Sequence, residues 1–468
     1  MIPLLNAQEM RDLEQKAIHQ WGIPSLVLQE HAALGALALL PPGEPLLVLA
    51  GPGNNGGDAL ALARLARLRG ARVAVWALDP QPVWKGDAAL QARLWEGLGG
   101  TYRSGPPAEA LAGFRGWVVD GLFGLGARLP ITGPAAAWVA ALAGDAPFKV
   151  LALDLPTGLE PGSPEVPGPA VRATRTAAFG YLKVCHGLRP ARDLCGEITC
   201  VPIPLDGTPA PAIRLLERPG PRDPGRWDTH KRDFGHVAIR AGTAGMSGAA
   251  VLAALGALRM GAGLVTILPD EAVRAEVAAQ VPEAMVRAWD GRVPEGVDLL
   301  LVGPGGACDV PAWEGPLVLD ASALKAGEGD RWMRRARTVI TPHPGEFNRL
   351  FGPGAAGRLE RARAAATGPG VLVLKGAQTL IAGGGLEEVW VNPTGHRGLS
   401  TGGAGDFLAG MVAARAATAP DLRQAAAEAV WLHGAAADRL GRGPLLIREL
   451  GPALAALLRD LDRECDHG

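Results

Sequence analysis

Short apolar runs alternate with amphipathic segments along the first half of the chain. The apolar runs cover 45–50, 72–78, 117–120 and 149–154, and a segment with helical spacing lies at 58–68. Apolar runs of this length are typical of strands buried on both faces of a parallel sheet, with helices as the crossover connections. The pattern therefore predicts an α/β domain in the first half of the chain.

The same alternation resumes further along the chain. It predicts a helix at 247–260 and strands at 236–240, 264–268, 298–302, 316–320 and 371–374. Between the two halves, ten of the 24 residues at 202–225 are proline or glycine, which is the strongest compositional break in the sequence. Domain boundaries fall in segments of this composition. Two α/β domains are therefore predicted, at 1–210 and 211–468.

The most hydrophobic window lies at 249–269, but it contains Arg259 and several glycines. This composition indicates a buried helix followed by a strand, and not a membrane span. The amino terminus has no basic segment followed by an apolar stretch, so we expect no secretion signal. A membrane is therefore not an expected partner.

Charge and cysteine content exclude further classes of protein. Lys+Arg 46 and Asp+Glu 47 give a net charge of -1, so no long-range field favours nucleic acid or an anionic surface as partner. The five cysteines include no C-x-x-C pair, which argues against a secreted disulfide framework and against a zinc knuckle. We expect a cytoplasmic protein that binds no nucleic acid.

A glycine-rich polar loop follows the first apolar run. It has the sequence Gly-Pro-Gly-Asn-Asn-Gly-Gly-Asp at 51–58, and a helix is predicted to continue from it through Leu68. Strand, glycine loop and helix can form a cradle for a phosphate or nucleotide, because glycines allow a ligand close to the backbone and a helix amino terminus favours anions. Asn55 and Asp58 could bind polar ligand edges or a cation. A tight turn without a ligand is the alternative for the same sequence.

Two further predicted strands end in aspartates, Asp120 and Asp154. In an open parallel sheet the ligand crevice lies at the carboxyl ends of the strands. We therefore expect Asp120 and Asp154 to lie near Asn55. Each aspartate alone could be a helix cap, but three aligned strand ends favour a binding site.

The motif Gly-Gly-Ala-Gly-Asp at 402–406 leads into an apolar helix predicted at 407–416. Backbone amides at a helix start can hold the oxyanion of a transferring phosphoryl group, and Asp406 could take a proton from the acceptor hydroxyl. A lone Gly-x-Gly-Asp could equally be a capped helix start. The polar and glycine-rich sequence extends back to Asn392, however, and this favours a phosphoryl-transfer site.

Two side chains of the second half are further candidates. His343 lies between two prolines and could hydrogen-bond a ligand, although a lone histidine is more often structural. Lys375 ends the predicted strand at 371–374, where its ammonium could neutralise nucleotide phosphate. An ordinary surface lysine is the alternative at this position.

The segments 54–58, 120–126 and 154–158 resemble the motifs of the NAD(P)H-hydrate epimerase family, the YjeF amino-terminal type, over residues 1–210. This resemblance implies a Rossmann-like parallel-sheet domain that interconverts the R and S forms of hydrated NADH and NADPH (NADHX and NADPHX). It also implies a K⁺ ion held by Asn55, Asp120 and Thr157. Within such a domain we expect Asp154 to be the catalytic proton-transfer group. The substrate-binding residues that it implies are Asn54, Asn55, Gly56, Gly57, Asp58, Gly124, Leu125, Gly126, Ala127, Arg128, Leu129, Pro130 and Asp154.

The segments 230–235, 341–347, 374–379 and 402–406 resemble the ADP-dependent NAD(P)H-hydrate dehydratase family over residues 211–468. This second resemblance implies a ribokinase-like domain that uses ADP, or else ATP, with Mg²⁺ and with Asp406 as catalytic base. The substrate-binding residues that it implies are Ala262, Gly305, His343 and Asp406. The nucleotide-binding residues that it implies are Lys375, Gly376, Ala377, Gln378, Thr379 and Gly405.

The two resemblances together imply one bifunctional α/β enzyme, an isomerase joined to a lyase, that forms a homo-oligomer. Some positions depart from the family motifs, among them Arg232, Ser322 and Ala404 and the segment Gln-Glu-His-Ala-Ala at 29–33. The alternative is a ribokinase-like kinase for a small alcohol with a non-catalytic nucleotide-binding first domain, because such a kinase would share the Gly-x-Gly-Asp site.

Overall fold

The computed structural model describes residues 1–205, 207, 211–220 and 228–463, so that Cys465 lies outside the described residues. The chain divides into two compact units, of which the first is Ile2–Ile213 and the second begins at Arg214. This division falls inside the segment 202–225. Within the described ranges, no helix is long and apolar enough to cross a membrane.

The first unit alternates strands with helices along the chain. Its strands are β1 (Ile2–Leu5), β2 (Leu46–Ala50), β3 (Val73–Ala77), β4 (Tyr102–Arg103), β5 (Trp117–Gly121), β6 (Lys149–Leu153), β7 (Arg175–Phe179), β8 (Leu182–Lys183) and β9 (Glu197–Val201). Its helices are α1 (Ala7–His19), α2 (Ser25–Ala38), α3 (Asn54–Leu68), α4 (Gly86–Gly97), α5 (Pro107–Leu111), α6 (Pro134–Leu142) and α7 (Val184–Gly187), with a 3₁₀ turn at Ala191–Leu194.

The main sheet of this unit has the strand order β4-β3-β2-β5-β6-β7-β9 and is parallel throughout. In register, Ala50 at the end of β2 pairs with Gly121 at the end of β5. The carboxyl ends of the central strands therefore lie side by side. The predicted parallel sheet is confirmed, and the predicted apolar runs form four of its seven strands, β2, β3, β5 and β6.

The second unit repeats this alternation with different elements. Its strands are β11 (His236–Arg240), β12 (Leu264–Ile267), β13 (Met285–Val286), β14 (Leu299–Val302), β15 (Leu317–Leu319), β16 (Thr338–Ile340), β17 (Val371–Leu374), β18 (Leu380–Gly383) and β19 (Leu386–Val391), while β10 (Ile213–Leu215) spans the division between the units. Its helices are α8 (Ser247–Arg259), α9 (Arg274–Gln280), α10 (Gly329–Arg334), α11 (Pro344–Phe351), α12 (Arg358–Ala365), α13 (Ala404–Thr418), α14 (Leu422–Leu440) and α15 (Leu450–Arg463). Its 3₁₀ turns are Lys231–Phe234, Glu271–Val273, Pro304–Gly306, Ala321–Ala323, Arg397–Leu399 and Ile447–Glu449.

The sheet of the second unit has the order β13-β12-β11-β14-β15-β16-β17-β18-β19. The strands from β13 to β17 are parallel, and β18 and β19 continue the sheet as an antiparallel hairpin. The predicted α/β class of this half is confirmed. The hairpin was not predicted, because its strands have only four and six residues and the glycines at 383–385 interrupt the apolar pattern between them.

Helices α8 and α13 pack closely against each other. A Cβ atom on Gly256 would lie 2.1 Å from the carbonyl oxygen of Phe407, and one on Gly410 would lie 1.9 Å from that of Ala253. Only glycine permits backbones to approach so closely. This contact fixes α13, whose amino-terminal turn carries Asp406.

Candidate functional sites

The polar loop after β2 is shorter than the sequence predicts. Helix α3 begins at Asn54, so that the stretch from Asn54 to Asp58 forms its first turns and the connection from Ala50 has only three residues. A Cβ on Gly51 would lie 1.8 Å from the carbonyl oxygen of Leu122, and one on Gly56 would lie 1.8 Å from that of Gly51. The glycines therefore allow the helix start to pack directly against the ends of β2 and β5.

This helix start forms one wall of a cavity of about 620 Å³. The predicted residues that line it are Asn54, Asn55, Asp58, Gly124, Leu125, Gly126, Ala127 and Asp154. Gly56 and Gly57 are buried behind the wall. Arg128, Leu129 and Pro130 continue the loop beyond Ala127 but do not line the cavity.

Asp120 and Thr157 form a buried hydrogen-bonded pair beside this cavity. Asp120 Oδ2 accepts a hydrogen bond from the Thr157 amide at 2.8 Å, and its Oδ1 accepts one from the Thr157 hydroxyl at 2.7 Å. Burial raises the pKa of the fully buried Asp120 to about 6, while the hydrogen bonds from Thr157 lower it.

The buried carboxamide of Asn55 lies against the same segment of chain. A Cβ on Gly124 would lie 3.4 Å from Asn55 Cγ, and the Thr157 hydroxyl accepts a hydrogen bond from the Phe123 amide at 3.2 Å. Neither Oδ1 nor Nδ2 of Asn55 has a hydrogen-bond partner within the described part of the chain. Buried polar atoms are rarely left without a partner, so this carboxamide indicates a ligand position beside Asp120 and Thr157.

Asp154 follows β6 with a positive φ of 66° and makes a salt bridge to Lys183. The Lys183 side chain is completely buried, and its ammonium also donates to the Phe179 carbonyl at 2.8 Å. The Phe179 amide donates to Asp154 Oδ1 at 3.2 Å. The carboxylate of Asp154 is thus fixed at the cavity wall. The sequence prediction missed Lys183, although a lysine within an apolar stretch is a detectable signal.

Two more carboxyl groups, Glu14 and Asp58, reach this cavity. Burial, followed by the charge of Asp154, raises the pKa of Glu14 to about 6. The same two causes raise the pKa of Asp58 well above its usual value, while a hydrogen bond with Gln29 lowers it. Gln29, in the segment that departs from the family motif, also donates to the carbonyl oxygen of Asn54 at 3.3 Å.

Glu14 was not among the predicted residues. Met10 and Ala17 are buried on α1, and Glu14 lies four residues after the first and three before the second. Residues with this spacing share one face of a helix. An acidic residue on the buried face of an otherwise amphipathic helix was therefore a signal in the sequence.

The second site is centred on the start of α13. The helix begins at Ala404, three residues before the predicted start, and the preceding Gly403 adopts a left-handed φ of 92°. The motif Gly-x-Gly-Asp therefore ends within the first turn, because the left-handed Gly403 lets the chain enter the helix directly. A Cβ on Gly405 would lie 3.2 Å from the ammonium nitrogen of Lys375.

Asp406, Asp320 and Lys375 form a charged group at this helix start. Lys375 Nζ lies 2.6 Å from Asp320 Oδ1, and the same oxygen accepts a hydrogen bond from the Thr341 hydroxyl at 2.8 Å. Burial, together with the charges of Asp320 and Glu346, raises the pKa of Asp406 to about 6, and Lys375 opposes the shift. Asp320 was missed, although it follows β15 just as Asp154 follows β6.

Arg358 supports the loop formed by residues 375–379. Its guanidinium donates to the carbonyl oxygens of Leu374 at 2.6 Å and Gln378 at 2.7 Å. Its Nε is buried without a hydrogen-bond partner among the described residues, and burial lowers its pKa to about 10. In the loop, Gly376 and Ala377 are exposed, whereas Gln378 and Thr379 are buried. The two hydrogen bonds from the Arg358 guanidinium therefore hold the predicted nucleotide loop in place.

The remaining predicted substrate residues lie at different places. His343 is the N-cap of α11, and its Nδ1 accepts hydrogen bonds from the amides of Gly345 and Glu346 at 3.0 and 3.3 Å. Gly305 follows β14, and its carbonyl accepts from the Thr243 amide and hydroxyl.

Ala262 is not brought to this group. It precedes β12, and the amide of the next residue, Gly263, donates to Phe234 before β11. Ala262 therefore lies at the amino edge of the parallel strands, whereas Gly305, His343 and Lys375 follow carboxyl ends. A crossover helix, α8, returns the chain to that opposite edge.

The fold and its two polar sites define a two-domain α/β enzyme, with a cavity lined by carboxyl groups in one unit and a charged, glycine-rich helix start in the other. Residues 27–185 match the family model described as YjeF-related protein N-terminus, and residues 237–446 match the model described as NAD(P)H-hydrate dehydratase.

Several curated proteins are similar over their whole length. The bifunctional NAD(P)H-hydrate repair enzyme Nnr of Moorella thermoacetica is 33% identical, with 99% of this chain and 98% of that protein covered. Nnr of Coxiella burnetii is 35% identical, with 98% and 100% covered. The chain belongs to the family of bifunctional NAD(P)H-hydrate repair enzymes, as the motif resemblances predicted.

One solved structure with sequence similarity is the ADP/ATP-dependent NAD(P)H-hydrate dehydratase from Bacillus subtilis, co-crystallised with ATP/Mg²⁺. It is 32% identical, the alignment covers 52% of this chain and 95% of that chain, and the TM-score is 0.46.

Proposed function

We propose that this protein restores NADH and NADPH from their hydrates. The first unit, within 1–210, interconverts the R and S hydrates, and the second, within 211–468, dehydrates the S form with consumption of a nucleotide. ADP would be converted to AMP and phosphate, and ATP is the alternative donor. The relatives that match nearly the whole chain are named for this repair, and the two separate polar sites in one chain support the same division of labour.

The observation that carries the dehydratase assignment is Asp406 in the first turn of α13, beside Lys375. A ring hydroxyl is a poor leaving group, but it leaves readily as phosphate. Asp406 would accept the proton of the hydroxyl as its oxygen takes the phosphoryl group from the nucleotide, and the amides of 402–405 would hold the phosphoryl oxygens. Phosphate then leaves and the adjacent ring carbon loses a proton, which restores the reduced ring.

The nucleotide would lie on the loop from Lys375 to Thr379 and against Gly405. The ammonium of Lys375 and the guanidinium of Arg358 supply positive charge on two sides of this loop. Across the described residues, no three His, Cys, Asp or Glu side chains converge as a metal site. This suits Mg²⁺, which keeps much of its water shell and binds largely through substrate phosphates, whose charge it would neutralise.

K⁺ fits the position between Asn55, Asp120 and Thr157. The donors there are an amide, a hydroxyl and one carboxylate, and oxygen ligands of low total charge suit a monovalent ion better than zinc or copper. The unpartnered carboxamide of Asn55 is the observation that favours an ion at this position. When bound, K⁺ would compensate the buried charge of Asp120 and order the loop at 121–124.

In the epimerase cavity, Asp154 would transfer a proton to or from the oxygen atom on the hydroxyl-bearing ring carbon. Its salt bridge to Lys183 fixes the carboxylate at the wall of the cavity. The polar first turn of α3, from Asn54 to Asp58, and the loop from Gly124 to Pro130 would bind the remainder of the hydrate. The positively charged end of the helix dipole of α3 favours its phosphates.

The test is recovery of the reduced-nicotinamide absorbance from a mixture of both NADH hydrate epimers. We expect complete recovery with nucleotide, Mg²⁺ and K⁺ and none without nucleotide. Recovery that stops at the fraction of one epimer in the starting mixture would contradict the epimerase assignment. A stable phosphorylated product without recovery would instead support a small-molecule kinase.

A further inference from the structure

Two of the carboxyl groups that line the epimerase cavity come from different elements. Asp154 follows strand β6, and Glu14 lies on α1, on the face that also carries the buried Met10 and Ala17. Asp154 has a salt bridge to Lys183. The side chain of Glu14 makes no hydrogen bond or salt bridge among the described residues, so its carboxyl group is available to a ligand.

The charges around the two groups differ. The charges of Asp154, Lys183 and Arg11 act on the pKa of Glu14. Glu14 and Asp154 in turn act on the pKa of Asp58. The pKa of Glu14 is raised to about 6, mainly by burial and then by Asp154. Asp154 instead has the Lys183 ammonium as its direct partner. Glu14 can therefore donate a proton, and the carboxylate that is paired with the Lys183 ammonium can accept one.

The reaction itself requires two such groups. Inverting the carbon that carries the hydroxyl means that the hydroxyl must leave from one face of the ring and that a water must arrive at the other. A group on one side can serve only one of these steps. One group near each face is therefore the minimum for direct inversion.

We propose that Glu14 is a second catalytic acid-base group of the epimerase, serving the ring face opposite to the one served by Asp154. This inference rests on the proposed epimerase function. Protonated Glu14 gives its proton to the departing hydroxyl, which leaves as water while the ring nitrogen forms a double bond to the same carbon. A water then adds to the other face and Asp154 takes its proton. The reverse reaction exchanges the two roles.

Exchange with ¹⁸O-labelled water measures the reaction at each face of the ring separately. The full-length protein is incubated with each NADH hydrate epimer in labelled water and K⁺ without nucleotide. The two epimers are then separated, and mass spectrometry measures the ¹⁸O content of each. After subtraction of the uncatalysed rate, wild type labels and interconverts both epimers. Glu14→Gln should lose epimerisation by about 10²–10⁴-fold, as expected for removal of an acid-base group, and still label the single epimer whose hydroxyl faces Asp154.

The Asp154→Asn variant gives the complementary test, because Glu14 alone should label only the opposite epimer. Asp12→Asn is the matched control, since Asp12 is an exposed acid on the same helix outside the cavity lining; it should behave as wild type.

Epimerisation at the wild-type rate in Glu14→Gln, or labelling of the same epimer in both variants, would overturn the proposal. Loss of all labelling in an Asp154→Asn protein whose circular dichroism spectrum matches that of wild type would also overturn it, whether or not Glu14→Gln folds. A wild-type protein that does not interconvert the epimers would instead overturn the proposed epimerase function itself.

Discussion

Lys183 and Asp154 form a buried salt bridge between the end of β8 and the end of β6. The Lys183 side chain has no exposed surface, and the Phe179 carbonyl is the second acceptor of its ammonium. The pair joins three strand ends at the wall of the epimerase cavity. It therefore links the stability of the first unit to the position of its proposed proton-transfer group.

Lys183→Met should destabilise the first unit, because it leaves the Asp154 carboxylate buried without its cation. Breaking a buried pair by removing one partner costs about 3–5 kcal/mol. Hydrogen exchange of peptides from the first unit, followed in the full chain as urea is raised, measures the free energy of unfolding of this unit. The exposed Lys85→Met is the control and should change it by less than about 0.5 kcal/mol. A similar small change in Lys183→Met would contradict the structural role of the pair.

Arg358→Met should weaken nucleotide binding. The variant loses both hydrogen bonds to the loop carbonyls and a cation close to the proposed phosphate position. We expect the KM for ADP to rise about tenfold or more, which corresponds to about 1.4 kcal/mol, with epimerisation unchanged. Arg363→Met, an exposed arginine on the same helix, should keep the wild-type KM. An unchanged KM in Arg358→Met would show that the loop does not depend on this arginine.

The dehydratase should lose activity in acid because Asp406 must be ionised to act as a base. Its pKa is raised to about 6 by burial, Asp320 and Glu346 against the opposing effect of Lys375. The ionised fraction therefore falls as pH decreases through 6. The kcat/KM for the S hydrate should decrease about tenfold per pH unit below that value. Initial rates between pH 5 and 8 measure this, and a profile that is flat down to pH 5 would argue against Asp406 as the base.

Asn55→Leu should remove the response of epimerisation to K⁺. The substitution replaces the buried carboxamide, whose polar atoms have no partner in the described part of the chain, with an apolar side chain of similar size. Wild-type activity should rise as KCl replaces choline chloride at constant ionic strength, and the variant should stay at the low level. Equal activation of both proteins by K⁺ would show that the ion does not bind at Asn55. The nucleotide-dependent dehydration of the pure S epimer is the internal control and should be unaffected.

The strands could be predicted because a strand buried on both faces is a continuous apolar run, as in β2 and β17. The neighbouring positions of Asn55 and Asp120 were also predictable, since Asn55 follows β2 and Asp120 lies at the end of the adjacent parallel strand β5. The predicted starts of the helices were less accurate. Asn54 and Ala404 already belong to α3 and α13, because glycines let the chain enter a helix without a longer loop.

Partners across elements could not be derived from spacing. Lys183 and Asp154 are 29 residues apart, and Lys375 and Asp320 are 55 apart. Their pairing depends on which strand ends become neighbours in the folded sheet. Arg358 is a comparable case, because its contacts with the loop depend on how α12 packs.

The measurement that tests the central claim most directly follows the pure R epimer of NADH hydrate with ADP, Mg²⁺ and K⁺ in three full-length proteins. Wild type should convert it completely to NADH. Asp406→Asn should produce a mixture of R and S hydrates without NADH, and Asp154→Asn should leave the R hydrate largely unchanged while still dehydrating added S hydrate. NADH formation by Asp406→Asn, or loss of both activities from either single substitution, would contradict two separate sites with these residues at their centres.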